Sequence, residues 1–377
     1  MRRHWIDNLR WVTVVSVLIY HVIYYYNNKG VFGGIGGFGG SQPQDVVMYI
    51  LYPWFMMLLF LVAGISSRYA LERQSLREFV CSRTLKLLVP STIGLFVFQW
   101  ITGYYNTLTA EYVNQIAIFP ALPEPFSLPV NYLISCVSGI GPLWFIQDLW
   151  LFSLLLVVLR KFDKGDTVRQ RCANIGYLGI ILLGVLVWLG AQTLITNPDV
   201  SSYSAGVPNG LYNLYKPFSY VVLFLMGYYV FSNESVLDKV VAMRKPMMAL
   251  ALASGIWLIA TTYGENNTSA EYMMTAKNNL YAYTMILALI GLFRSRFDTT
   301  NRFASYMSRT SFGLYVVHYV LVASVGYALK VHTTLPPVAI STILFVAVLA
   351  GSPLLYEVLR RIPLVRWCAF GEKRKRA

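Results

Sequence analysis

Charged residues are scarce in this sequence of 377 residues, since Asp, Glu, Lys and Arg together account for only 13% of it. Hydrophobic residues make up 56%, and the mean hydropathy is +0.53. Soluble globular proteins usually contain about 25% charged residues. The shortage of charge therefore excludes an ordinary soluble domain and predicts that a lipid bilayer surrounds most of the chain.

Cysteine is also rare, and the four cysteines show no paired spacing. Disulfide frameworks and Cys-based metal sites both depend on such spacing, so neither is indicated. We expect no metal ion and no bound cofactor. The cysteines are Cys81, Cys136, Cys172 and Cys368.

Long apolar runs divide the chain into segments that can each cross a bilayer, which requires about 17–25 residues. The sequence therefore predicts an all-α integral membrane protein with about ten transmembrane helices. The predicted spans are Trp11–Tyr26, Val46–Ile65, Lys86–Tyr104, Leu143–Leu159, Ile175–Leu194, Pro217–Phe231, Pro246–Tyr263, Asn278–Phe293, Thr310–Leu329 and Pro336–Val358.

Basic residues cluster in alternate loops between these spans. All but four of the 31 Lys and Arg residues fall on one side, and the exceptions are Lys29, Lys216, Lys277 and Lys330. Cytoplasmic loops carry such an excess, so both termini are predicted to be cytoplasmic, in the cell inner (plasma) membrane. Topology thus accounts for the net charge of +14, and no nucleic-acid partner is expected.

The chain has no segment that reads as a soluble domain. Residues 1–360 are predicted to form a single transmembrane domain, and 361–377 a basic cytoplasmic tail that binds anionic lipid. The longest loop runs from about Tyr105 to Pro142 and contains no Lys or Arg. We expect it to lie outside, with part of it re-entering the membrane.

Ionisable and strongly polar side chains at membrane depth are rare, because desolvation costs several kcal/mol, and each one is a functional candidate. Glu357 precedes Arg360 and Arg361 by three and four residues, which indicates a pair on the helix surface without chemistry. The other candidates are His21, Gln147, Asp148 and His318.

Arg10 and His21 are eleven residues apart, so on one helix they share a stripe and lie about 16 Å apart along the axis. Asp7 falls on the same side and can pair with Arg10. This stripe predicts an anion-binding cation at the inner surface and a titratable imidazole near mid-depth. The alternative is a snorkelling Arg and a His that is hydrogen-bonded inside the bundle.

Four segments resemble motifs of the acyltransferase-3 family, in the family's order. Ile6–Arg10 followed by His21 resembles its Asp-x-x-Arg-x(10)-His signature, and Phe60–Ser66 is similar to its Phe-Leu-Ser-Gly helix end. Gly141–Trp150 resembles its Leu-Trp-Phe-x-x-x-Leu segment, and Ser311–His318 its Ser-Tyr-x-Leu-Tyr-x-x-His segment.

The resemblance implies a membrane O-acyltransferase that uses acyl-CoA as a co-substrate and a glycan hydroxyl as acceptor, by O-acetylation or O-succinylation. The chain looks most like the glucan-modifying C proteins, which succinylate periplasmic glucans and lack a fused soluble domain. A polysaccharide exporter or flippase is the alternative, because ten spans with outward aromatic residues suit a glycan path. A structural scaffold is a third possibility.

The resemblance also implies roles for individual residues. His21 is expected to be catalytic, as a general base or a transient acyl carrier. Asp148 is expected to orient His21, unless it is a structural partner elsewhere, and His318 is either a substrate contact or a core histidine. Trp144 and Tyr315, from the two later motifs, are assigned to substrate binding.

Arg10, with Asp7 to orient it, is expected to bind the CoA phosphates. Arg83 and Lys86 stand where the family has an Arg-x-x-Arg pair before a Pro-ended run, here Pro90. Lys binds phosphate without the bidentate geometry of Arg, so this departure affects the expected donor contact. The positive-inside rule alone also places basic residues there.

Overall fold

The computed structural model describes residues 3–27, 34–192 and 218–372. Within these ranges the protein is helical and contains no β-strand. Lys29, Lys216 and residues 373–377 of the predicted tail lie outside the described residues. The helices are α1 (His4–Tyr24), α2 (Val46–Leu71), α3 (Leu76–Arg83), α4 (Val89–Ser91), α5 (Trp100–Asn114), α6 (Ser127–Ser138), α7 (Trp144–Phe162), α8 (Thr167–Cys172), α9 (Tyr177–Ala191), α10 (Ser219–Tyr229), α11 (Glu234–Thr262), α12 (Ala270–Met274), α13 (Ala276–Arg296), α14 (Arg302–His332), α15 (Pro337–Leu359) and α16 (Pro363–Phe370).

Seven helical stretches of the described chain are long and apolar enough to cross a membrane. Two shorter apolar helices, α9 and α10, and the more polar α13 coincide with the three remaining predicted spans. The prediction of an all-helical, multi-pass membrane protein is therefore confirmed, whereas the number ten and the cytoplasmic termini stay predictions. The seven are His4–Tyr24, Pro43–Leu71, Leu76–Asn114, Gly141–Phe162, Glu234–Thr262, Arg302–His332 and Pro337–Leu359.

Helix α1 lies at the centre and packs against α2, α13, α14 and α15. Its sequence contains neither Pro nor Gly, so nothing interrupts the backbone hydrogen bonds between Arg10 and His21. Val17, Leu18 and Val22 are fully or almost fully buried on this helix. Packing on several sides holds α1 rigidly and fixes the direction of its polar stripe.

Helices α2 and α10 cross backbone to backbone at two glycines. A Cβ at Gly64 would overlap the carbonyl oxygen of Phe224, and a Cβ at Gly227 would overlap that of Leu61. Small residues allow this close approach between membrane helices, where dispersion contacts replace the hydrophobic effect as the driving force. The crossing fixes the end of α2 that follows Gly64.

The stretch Leu76–Asn114 is one long irregular helix with two π-helical segments, Thr84–Leu88 and Leu95–Gln99. Pro90 lies between them, and its ring and missing N–H are incompatible with regular α-helical hydrogen bonding. The backbone N–H of Val89 instead bonds to the carbonyl of Thr84, five residues earlier. A π turn holds more residues than an α turn, so side chains three residues apart diverge around the axis.

The segment predicted as the long outer loop contains a helix. α6 returns antiparallel along α5, so closely that a Cβ at Gly103 would overlap the carbonyl oxygen of Ser135. A 3₁₀ turn, Gly141–Leu143, then leads into α7. Within the predicted connection, Ser127–Ser138 is thus helical, because its apolar residues, although interrupted by Pro129, are sufficient to form a helix that packs on a neighbour. Its position relative to the membrane stays a prediction.

Three arginines converge on one carboxylate at the predicted cytoplasmic end. Asp166, in the turn before α8, lies 2.9 Å from Arg68, 2.8 Å from Arg160 and 3.4 Å from Arg169. These residues come from α2, α7 and α8, so the cluster ties the α7–α8 turn to the end of α2.

The first part of the predicted tail is folded against the transmembrane body. Residues 363–370 form α16, whose Phe370 ring lies 4.9 Å from that of Tyr356 on α15. Gly371 ends the helix with φ +60° and approaches the backbone of Leu85. The described chain thus continues as ordered structure past the predicted boundary at residue 361.

Candidate active site

His21 of α1 and His318 of α14 meet in the centre of the helix bundle. The Nδ1 atom of His21 lies 3.0 Å from Nε2 of His318, and the ring centroids are 5.0 Å apart. His318 is completely buried, whereas His21 is only half-buried. His21 is therefore the more accessible member of the pair.

The hydrogen bonds of His318 determine which nitrogen of His21 carries a proton. Nδ1 of His318 lies 2.7 Å from the carbonyl oxygen of Tyr315, and because a carbonyl only accepts, this nitrogen must be protonated. Nε2 of a neutral His318 then accepts a hydrogen bond from Nδ1–H of His21. The lone pair of neutral His21 is consequently on Nε2, which is the atom that can act as base or nucleophile.

Tyrosines surround the His21 ring. The Tyr319 ring meets it edge to face at 5.1 Å, and the Tyr20 and Tyr24 rings lie at 5.3 Å and 6.1 Å. Aromatic rings offer apolar faces to a ligand, and their hydroxyls can donate hydrogen bonds. The surroundings of His21 are thus aromatic and supplied with hydroxyl groups.

Tyr315 connects the histidine pair to α7. Its hydroxyl donates to the carbonyl of Pro142 in the 3₁₀ turn, and its ring meets that of Phe145 at 5.7 Å. Asp148 on α7 is buried with 3% exposure and interacts electrostatically with Tyr315. The structure therefore brings Tyr315 and Asp148 into the neighbourhood of the two histidines.

Arg10 lies on the same helix as His21, toward its N-terminal end. One of its Nη atoms donates to the hydroxyl of Ser66 at 2.7 Å, and the other lies 3.5 Å from the Asp7 carboxylate. The predicted Asp7–Arg10 pair is therefore present. Two groups orient the guanidinium, one from α1 and one from α2.

Arg83 brings a second guanidinium to the same place. It donates to the hydroxyl of Ser67 at 2.9 Å, and it interacts electrostatically with Arg10. The hydroxyls of two consecutive residues, Ser66 and Ser67, thus each accept a hydrogen bond from one of two arginines, at the end of α2 that the glycine crossing fixes. Mutual repulsion between two like charges is relieved when an anion binds between them.

The structure places Lys86 in a groove and Trp144 in an aromatic cluster. The Trp144 ring lies 6.3 Å from that of Phe145, whose ring contacts Tyr315. Lys86 is exposed in a surface groove, because the π turn Thr84–Leu88 turns it away from Arg83. Trp144 is part of an aromatic cluster, stacked on Tyr220 at 5.9 Å and 6.3 Å from Phe60. A contact of either residue with substrate stays a prediction.

Sequence reasoning did not single out Ser66, Ser67, Tyr319 or Tyr20. Ser66 lies in the segment Phe60–Ser66, which resembles a family motif, but no role is predicted for this serine. Tyr319 follows His318 directly, and Tyr20 precedes His21 directly. The available signal was thus proximity to a motif, but nothing in the sequence indicated that the two serines would hold two arginines.

Within the parts of the chain that the structure describes, no three His, Cys, Asp or Glu side chains are arranged to hold a metal ion. The family model described as an acyltransferase domain, that of the acyltransferase-3 family, matches residues 3–357, which is nearly the whole chain. No curated protein and no solved structure matches the sequence.

Proposed function

Because the chain belongs to the acyltransferase-3 family, we propose that it transfers an acetyl or succinyl group from cytoplasmic acyl-CoA to a hydroxyl of an extracytoplasmic glycan. The observation that carries this proposal is the hydrogen-bonded pair of His21 and His318, on the helix that also bears Arg10. Family membership supports an acyltransferase over an exporter, a flippase or a scaffold. We place the enzyme in the inner (plasma) membrane, as a single transmembrane domain with a short basic tail.

The donor end of the site is the pair Arg10 and Arg83. CoA carries several phosphate charges, and two adjacent guanidinium groups with one nearby carboxylate suit a polyanion better than a neutral ligand. The distance of about 16 Å along α1 from Arg10 to His21 is one that an extended pantetheine arm can bridge. Phosphates bound at the arginines would therefore deliver the thioester to the histidine pair.

The proposed chemistry uses the unprotonated nitrogen of His21. Nε2 of His21 takes the proton of the acceptor hydroxyl, while the oxygen of that hydroxyl attacks the carbonyl carbon of the thioester. The new carbon–oxygen ester bond forms, the carbon–sulfur bond breaks, and the CoA thiolate receives the proton from His21. An acyl-His21 intermediate would use the same nitrogen.

His318 and Asp148 support this step without touching the reacting atoms. When His21 becomes an imidazolium, its Nδ1–H donates a charge-assisted and therefore stronger hydrogen bond to His318. We propose that the negative charge of Asp148, which interacts electrostatically with Tyr315, offsets this positive charge. Trp144 and Tyr315 are proposed to shape the acceptor side, where the sugar approaches.

The test uses purified protein with radiolabelled acetyl-CoA and succinyl-CoA and a glucan acceptor. Wild-type protein should label the glycan, and His21→Ala should reduce turnover by about 10²- to 10⁴-fold, the usual contribution of a general base. His21→Ala should still bind CoA. Arg10→Ala should instead weaken CoA binding by about 1.5–3 kcal/mol, the usual value of a charge-assisted contact.

His332→Ala and Arg73→Ala are matched controls, because both side chains are exposed and lie outside the proposed site. Both should behave as wild type. Near-normal acylation by His21→Ala would exclude its role as base or acyl carrier. Unchanged CoA affinity in Arg10→Ala would exclude the donor site. Transport of a glycan by the wild type without any acylation would favour the exporter.

A further inference from the structure

A groove of about 1420 Å³ opens beside the transmembrane body, at the predicted cytoplasmic end. Its walls come from α3, the π turn, α14, the end of α15 and α16. Four basic side chains line it together with apolar residues such as Leu85 and Val89. The basic residues are Lys86, Arg309, Arg360 and Arg366.

Most of these cations have no acidic partner among the residues that the structure describes. Arg360 forms an ion pair with Glu357 at 3.0 Å, but no ion pair to a described residue is formed by Lys86, Arg309 or Arg366. The Nε–H of Arg366 is buried and donates no hydrogen bond to the described chain. Three cations of the lining are thus not paired with a carboxylate of a described residue, which favours the binding of an anion in the groove.

Two acids also line the groove, and four basic against two acidic side chains leave its lining with a net charge of +2. Glu78 accepts hydrogen bonds from the backbone N–H and the hydroxyl of Ser75, both at 2.8 Å, as part of a helix cap. Glu372 accepts from the Tyr356 hydroxyl at 3.0 Å. The groove therefore keeps a net positive charge.

Helix α16 indicates which kind of anion reaches the groove. It buries Cys368 and Phe370 against the protein and exposes Leu364 and Trp367, with 59% and 40% of their surface accessible. Short helices that expose a Leu and a Trp beside basic residues lie in the interface between lipid headgroups and acyl chains. The groove thus opens at headgroup level, with apolar surface next to its cations.

The groove and the proposed donor site both include α3, but their basic side chains point in different directions. None of its described lining residues comes from α1 or α2, the helices that carry His21, Arg10 and the two serines. Arg83 points toward those serines, whereas Lys86 points into the groove. We propose that this groove binds the phosphate headgroup of an anionic phospholipid from the surrounding leaflet, independently of the acyl donor.

Binding of short-chain phosphatidylglycerol to the purified full-length protein, measured by native mass spectrometry in neutral detergent, tests this proposal. Phosphatidylcholine of the same chain length and CoA are the comparison ligands. Each Lys or Arg near a headgroup contributes about fivefold in affinity, so Arg309→Gln combined with Arg366→Gln should weaken phosphatidylglycerol binding by about 25-fold. CoA binding should not change.

Lys161→Gln combined with Arg296→Gln removes the same charge at exposed positions outside the groove, and it should leave lipid binding intact. The single variant Arg309→Gln, at an exposed side chain, provides a second measurement if the double variant does not fold. Equal losses in both double variants, or no preference for phosphatidylglycerol over phosphatidylcholine, would overturn the proposal. Loss of CoA binding in the groove variant would reassign the groove to the donor.

Discussion

Replacing His318 by Phe removes the acceptor of His21 while keeping an aromatic ring of similar size in a fully buried position. In the wild type, His318 receives Nδ1–H of His21 at 3.0 Å and is itself fixed by the Tyr315 carbonyl at 2.7 Å. Phe cannot accept a hydrogen bond. The proton of His21 is then no longer confined to Nδ1, and the ring loses its fixed orientation.

The expected loss follows from the change in hydrogen-bond strength during the reaction. A neutral hydrogen bond contributes about 0.5–1.5 kcal/mol and one to a charged group about 1.5–3 kcal/mol. The transition state, with an imidazolium at His21, therefore loses about 1–1.5 kcal/mol more than the ground state, or about 5- to 13-fold in rate. Adding the loss of tautomer selection, we expect His318→Phe to lower kcat by about 10- to 50-fold.

Single-turnover acyl transfer from labelled acyl-CoA, with CoA binding measured in parallel, gives the required comparison. His318→Phe should fall between the wild type and His21→Ala, with CoA affinity unchanged. His318→Gln, which keeps an acceptor oxygen, should recover part of the rate, and His332→Phe is the control for an exposed histidine. Full turnover by His318→Phe would refute the assignment of the His21 tautomer, since that assignment depends on the His318 acceptor.

Three further predictions concern folding and topology. Gly64→Ala should destabilise the protein by at least about 3 kcal/mol, because the new Cβ would overlap a backbone carbonyl. The measurement is the Tm in detergent, which should fall. The control Gly40→Ala, at a position with open space around it, should leave the Tm unchanged. Asp166→Asn leaves three partly buried arginines without their shared carboxylate, so it should lower the free energy of unfolding by about 3 kcal/mol in the same assay. An unchanged Tm would mean that the cluster does not stabilise the protein. A reporter active only outside the cytoplasm should be active after Asn114 and silent after Asp163, and the reverse pattern would contradict the predicted topology.

The parts of the site that depend on local geometry could be predicted from the sequence. The shared stripe of Arg10 and His21 follows from the regular spacing of an α-helix, and α1 is continuous between them. The meeting of His21 with His318 depends on the packing of α1 against α14, almost 300 residues later in the chain. No local sequence pattern predicts a contact between residues so far apart in the chain. Only the resemblance to family motifs indicated that both histidines belong to one site.

Lys86 shows where regular spacing misleads. Three residues after Arg83, it would share a face with Arg83 on an α-helix. Pro90 was visible in the sequence, but the π turn that forms before it was not, and this turn separates the two side chains. The helix α6 was missed for a related reason, since Pro-rich sequence suggested a loop while the contact with α5 is decided by tertiary packing.

The break between α6 and α7 has a mechanical consequence for the histidine pair. Tyr315 binds Pro142 in that break through its hydroxyl, and it binds His318 through its backbone carbonyl. A movement of the α5–α6 hairpin would therefore pull on the residue whose carbonyl fixes the proton of His318. The hairpin and the histidine pair are thus mechanically coupled through one tyrosine, so a displacement of one should be transmitted to the other.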